Sequence, residues 1–102
     1  METLYNTEML EKIAYILKTV AHPVRLGIVQ LLGTNSKLSV NEICEKLETE
    51  QSLTSHHLTG MKLKGILTSK REGKNIYYSL KEKDITNIFK CLENCNCNFS
   101  SF

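Results

Sequence analysis

The sequence predicts a mainly helical single domain that carries a small β-hairpin, with about five helices and a two-stranded flap over its 102 residues. Three observations predict it. Apolar residues recur at intervals of three and four along most of the chain, the spacing of helices buried on one face. Residues 38–80, LSVNEICEKLETEQSLTSHHLTGMKLKGILTSKREGKNIYYSL, hold two helical patterns separated by a short turn, then two runs rich in β-branched and aromatic residues. Hydrophobic residues at 41% and charged ones at 24% suit one globular domain and argue against both disorder and a membrane span.

The first helix is expected over 7–20, where Met9, Leu10, Ile13, Ile16, Leu17 and Val20 form a wide apolar stripe. Thr7 is placed to cap it, and Glu8 suits its positive end. A stripe this wide points either to a partner subunit or to an ordinary core position. In the following AHPVRLGIVQLLGTN, Pro23 opens a second helix and Gly33 is expected to end it with a positive φ. Val24, Ile28, Leu31 and Leu32 are its expected buried face.

Asn35 to Leu38 reads as a turn with at most one short strand. Ser39 and Glu42 then make an S-x-x-E capping box for a third helix. Val40, Ile43, Cys44 and Leu47 point inward by spacing, which makes Cys44 a small core residue rather than a reactive thiol. A fourth helix is expected from Gln51 to Lys64. Leu53, Thr54, His57, Leu58 and Met61 fall on its inner face, and Gln51, Ser52, Ser55, His56, Thr59 and Lys62 on the outer one. Gly65 ends it, and strands over 66–70 and 75–80 flank a basic turn, Arg71-Glu72-Gly73-Lys74. A last helix is expected over 81–95 on the stripe Ile85, Ile88, Phe89 and Leu92, with a frayed tail over 96–102.

Charge is distributed unevenly. Residues 1–50 are net minus two, 51–80 net plus four, and 81–102 neutral, within a total of +2. The positive part coincides with the fourth helix and the hairpin. Short hydrogen-bonding side chains near a helix start, a Lys further along, and cations at a hairpin tip are what a protein needs to approach base edges and phosphates. Double-stranded DNA is the partner this pattern favours; a protein-interaction scaffold is the alternative. An enzyme is disfavoured, since no phosphate-binding Gly-rich loop, carboxylate pair or nucleophile with an adjacent base stands out. With no export signal visible, a cytoplasmic protein with reduced thiols is the expectation.

Four stretches in order, AHPVRLGIVQLL, LSVNEICEKL, SLTSHHLTGMKLKGIL and REGKNIYYSL, resemble the ArsR/SmtB-type (arsenic-repressor-like) winged helix-turn-helix regulators of bacteria. The resemblance implies a homodimer formed by the first and last helices, and a repressor that leaves its operator when a metal ion or other small inducer binds. Carried over by position, it assigns Gln51, Ser52, Ser55 and His56 to the major groove, Thr59 and Lys62 to the backbone, and Arg71 and Lys74 to the wing. Glu50 departs from the pattern, standing where the family usually has a capping Ser; Thr49 is the substitute cap. His57 is expected to be structural, tucked between helix and wing.

The family's arsenic site needs a Cys-x-Cys where this chain has Ser39-Val40-Asn41, and its zinc site falls on Glu82, Asp84, Cys95 and Asn98, which lack both His ligands. Neither is supported. What remains is Cys91, Cys95 and Cys97. Cys91 and Cys95 share one helix face, and the three thiols suit a soft, thiophilic metal ion, a disulfide or polysulfide switch, or no sensing role at all. No cofactor is certain; a thiophilic ion is the one candidate.

Overall fold

The computed structural model describes residues 6–87 and residue 90. Helix α1 spans Thr7–Val20, the expected range, but its cap lies one residue earlier: the Asn6 Oδ1 accepts the Met9 N–H at 2.6 Å. Asn is the stronger capping residue, which leaves Thr7 inside the first turn. Only Thr19 and Val20 of α1 are buried, whereas Met9, Leu10, Ile13 and Leu17 stay 43–51% exposed. Within one chain, therefore, the wide stripe is not an ordinary core face.

Helix α2, Pro23–Thr34, opens as expected with Pro in its first turn, and the Nδ1 of His22 caps it by accepting the Val24 N–H at 3.1 Å. Gly33 does not end α2 in a left-handed conformation. It lies within the helix, and the glycines with positive φ are Gly65 and Gly73. Gly33 is needed for closeness instead, since a Cβ there would meet Cγ2 of Thr86 at 2.5 Å.

Strand β1, Leu38–Ser39, leads straight into α3, Val40–Leu47. The capping box is complete: the Ser39 Oγ accepts the Glu42 N–H at 3.2 Å, and Glu42 Oε1 accepts the Ser39 N–H at 2.9 Å. After Glu48, which takes a left-handed φ of 53°, helix α4 runs Gln51–Leu63 and stops before Gly65 at φ 84°. Strand β3, Asn75–Leu80, has the expected range, whereas β2 is shifted and longer than expected at Leu67–Glu72, leaving Gly73-Lys74 as a two-residue loop. Gly73, at φ 66°, occupies the first loop position, where a type II′ hairpin favours glycine. The hairpin is not two-stranded alone: β1 pairs with β3, Leu38 opposite Tyr78, in a sheet of order β1-β3-β2.

Ile28, Leu32, Ile43, Leu58 and Met61 are fully buried and join α2, α3 and α4 in one core, which Leu67, Tyr78 and Leu80 extend onto the sheet. Among the described residues there are four α-helices and a 3₁₀ turn at Lys83–Thr86. The expected fifth helix therefore does not start at Lys81; most of its remaining span lies outside the described residues.

Candidate nucleic-acid interface

The helix pair α3 and α4, joined by the short Glu48-Thr49-Glu50 turn, presents one side of α4 to solvent. Thr54, His57, Leu58 and Met61 face the core. Gln51, Ser52, His56, Thr59 and Lys62 are exposed and Ser55 is partly exposed. This division follows from a step of about 100° per residue, which puts i, i+3 and i+4 on one side. Leu53 departs from expectation: it is 42% exposed, because it lies a quarter turn from the buried line of Thr54, His57, Leu58 and Met61.

Thr49 does not cap α4. Its hydroxyl instead bonds that of Thr54 at 2.6 Å, satisfying a fully buried Thr that otherwise would lose its hydration without compensation. Glu50 occupies the cap position, yet its side chain makes no capping bond. The Ser52 hydroxyl donates to Glu50 Oε1 at 2.7 Å.

His57 sits against α2 rather than against the wing. Its Nδ1 accepts from the Arg25 Nε–H at 3.0 Å, and its ring lies 4.5 Å from that of His22 and 5.7 Å from that of His56. Arg25 also donates to the Thr19 carbonyl at 3.0 Å, so one guanidinium links α1, α2 and α4. The opposite ring nitrogen, Nε2, is buried without a partner. Burial foremost, then the charges of His22, Arg25 and His56, hold the His57 imidazole below its ordinary value of 6.5 and so favour the neutral ring. The spacing of His57 announced a buried residue; its partner thirty-two positions away was not readable.

On the hairpin, Lys70, Arg71 and Lys74 are exposed. The wing's one acid, Glu72, is engaged by Lys37 in an ion pair, and the Lys37 ammonium also lies 4.9 Å over the Tyr77 ring. The hydrogen bond from Lys37 holds the Glu72 carboxyl below the usual carboxylate range. Among the described residues Glu72 makes no ion pair with Arg71 or Lys74. The helix face and the wing are held in one body by packing of α4 on β2, with no direct hydrogen bond between the two sets among the described residues.

Among the described residues no group of three or more His, Cys, Asp or Glu is placed to hold a metal ion. Cys44 is half-buried in α3, and Cys91, Cys95 and Cys97 lie outside the described residues. No described helix is long and apolar enough to cross a membrane.

A helix-turn-helix whose second helix carries an exposed hydrogen-bonding face, followed by a cationic hairpin on the same core, defines a winged helix-turn-helix DNA-binding protein. Residues 22–69 match the family described as "Bacterial regulatory protein, arsR family". The transcriptional repressor PagR of Bacillus anthracis is 42% identical over 83 residues, 81% of this chain and 83% of its own. Its crystal structure superposes with a TM-score of 0.74, covering 85% of this chain and 99% of that one. The regulator YgaV of Escherichia coli is 33% identical over 87 residues, 85% of this chain and 88% of its own. The transcriptional activator HlyU of Vibrio cholerae is 30% identical over 86 residues, 84% of this chain and 79% of its own. A HlyU structure gives a TM-score of 0.78 at 28% identity, over 91% of this chain and all of that one. The chain belongs to the ArsR family of winged helix-turn-helix transcriptional regulators, which bind DNA and are not enzymes.

Proposed function

We propose that the protein is a homodimeric, sequence-specific repressor that binds an operator through two copies of α4 and the wing. The observation that carries this reading is the outward face of α4, Gln51, Ser52, Ser55, His56, Thr59 and Lys62, beside Arg71 and Lys74 on a wing whose only acid is already paired. Gln51, Ser52, Ser55 and His56 read base edges, Thr59 and Lys62 hold the backbone, and the wing cations hold flanking phosphates. The exposed stripe Met9, Leu10, Ile13 and Leu17 of α1 supports a second copy as the partner, because it leaves apolar surface unburied in one chain. Repression rather than activation is favoured by the higher identity to PagR than to HlyU.

Release from the operator is assigned to Cys91, Cys95 and Cys97, through a soft metal ion or through oxidation or a reactive-sulfur species. The support is their spacing near the C-terminus. The test is a salt titration of duplex affinity with selection from a randomised duplex pool, repeated after adding soft metals or mild oxidants. A repressor of this kind enriches a palindromic site, loses affinity steeply with salt and releases DNA on one of the additions. Affinity indifferent to salt marks a protein-interaction scaffold. Release that persists in the Cys91→Ser/Cys95→Ser/Cys97→Ser variant clears these thiols.

A further inference from the structure

We infer that Glu50 is a specificity-determining residue that selects a cytosine in the major groove, with Ser52 orienting it. This rests on the proposed operator-binding reading and deepens it. Glu50 immediately precedes the first residue of α4 and is exposed, next to Gln51 and Ser52 on the face offered to DNA. A carboxylate here is costly near phosphate unless something compensates it. Two simpler roles are taken away by the geometry. Its side chain makes no bond to the first amides of α4, so it is not a helix cap. Among the described residues it has no ion pair, the one salt bridge being Lys37–Glu72, so it is not a structural anchor.

Its recorded side-chain partner is the Ser52 hydroxyl, which spends its proton on Glu50 Oε1 at 2.7 Å. That bond fixes the chemistry the pair offers. Glu50 accepts only, and Ser52, exposed and with its proton committed, is left with lone pairs alone to offer. An acceptor-only pair at the leading end of the helix matches an exocyclic amino group on a base edge. In the major groove two bases present one, and adenine sets its N7 acceptor directly beside N6, where a second acceptor is repelled. Cytosine presents N4–H₂ with no acceptor of its own alongside, and carboxylates are the side chains that accept from it. Repulsion from phosphate adds to the selection, since Glu50 weakens every complex in which it finds no amino group.

Selection from a randomised duplex pool with the wild type, Glu50→Ala and Glu50→Gln tests this. The wild type is expected to enrich cytosine at one fixed position of each half-site. Glu50→Ala loses that preference by about tenfold, keeps the preferences set by Gln51 and Ser55, and binds an unrelated duplex more tightly. Glu50→Gln moves the preference to adenine, because a carboxamide both donates to N7 and accepts from N6. The same base at that position in all three proteins overturns the assignment while leaving operator recognition intact. A pool from which the wild type enriches no sequence overturns operator recognition, and this assignment with it.

Discussion

Arg25 on α2 donates its Nε–H to Nδ1 of His57 on α4 across 3.0 Å, while a second nitrogen of the same guanidinium holds the Thr19 carbonyl at the end of α1. Three helices thus meet at one side chain. Arg25→Ala is expected to lower stability by about 1–3 kcal/mol, since it strands a buried acceptor on His57 as well as removing the bonds. Urea denaturation measures this through a lower midpoint at unchanged slope.

The same contact sets a pH dependence. The folded His57 resists protonation, so from pH 6.5 downward the unfolded chain takes up a proton that the folded chain refuses. Stability contributed by the neutral ring is complete above that value and falls as pH drops through and below it. Denaturation midpoints measured across this range should decline more steeply in the wild type than in His57→Gln. Equal declines would show that His57 does not set this dependence.

The capping box of α3 gives a second titration of opposite origin. Hydrogen bonds from the Ser39 backbone first, then its hydroxyl, hold the Glu42 carboxyl below its usual range. This contribution is present at neutral pH and is lost as pH falls through the lowered folded value. Ser39→Ala is expected to cost about 1 kcal/mol, the ordinary loss for a Ser cap, read from thermal unfolding at neutral pH.

Gly33→Ala should destabilise by about 1–3 kcal/mol, because the added methyl would sit 2.5 Å from Cγ2 of the β-branched Thr86, which has little room to give. Thr86→Ser removes that methyl and keeps the hydroxyl that donates to the Lys83 carbonyl at 2.8 Å. The double variant is therefore expected to recover most of the loss in a thermal-shift comparison.

For the wing, Arg71→Ala and Lys74→Ala should weaken binding to every duplex and flatten the salt slope by about 0.9 per lost phosphate contact. Gln51→Ala and Ser55→Ala should instead relax base preference with little change in slope. Titrations on the selected site and on an unrelated duplex separate the two behaviours.

Much of this fold is legible in the sequence because its signals are local. The S-x-x-E box, Pro23 at a helix start, Gly65 after α4 and the three-four spacing of Leu58 and Met61 each depend on neighbours a turn away. What escaped depends on distant partners. Gly33 looked like a terminator because its constraint comes from Thr86, and β1 was faint because two residues become a strand only through Tyr77 and Tyr78. Periodicity puts Leu53 inside, because it locates a stripe but not the width of what covers it. The spacing of His57 predicts its burial but not its neighbour, since nothing local names Arg25. On the candidate interface, residue types on α4 were readable, whereas the pairing of Glu72 with Lys37 required the sheet.

Ser39 belongs to two elements at once: it pairs with Tyr77 as the end of β1 and caps α3 in the next step of the chain. With β3 as the central strand, β1 ties the flap to the helix-turn-helix, and the packing of α4 on β2 ties them again. In the proposed dimer each subunit would then meet the duplex as a calliper jaw whose internal angle is set at folding. In the proposed operator complex, a releasing signal would then act on the gap between two such jaws, because among the described residues wing and helix-turn-helix share one sheet.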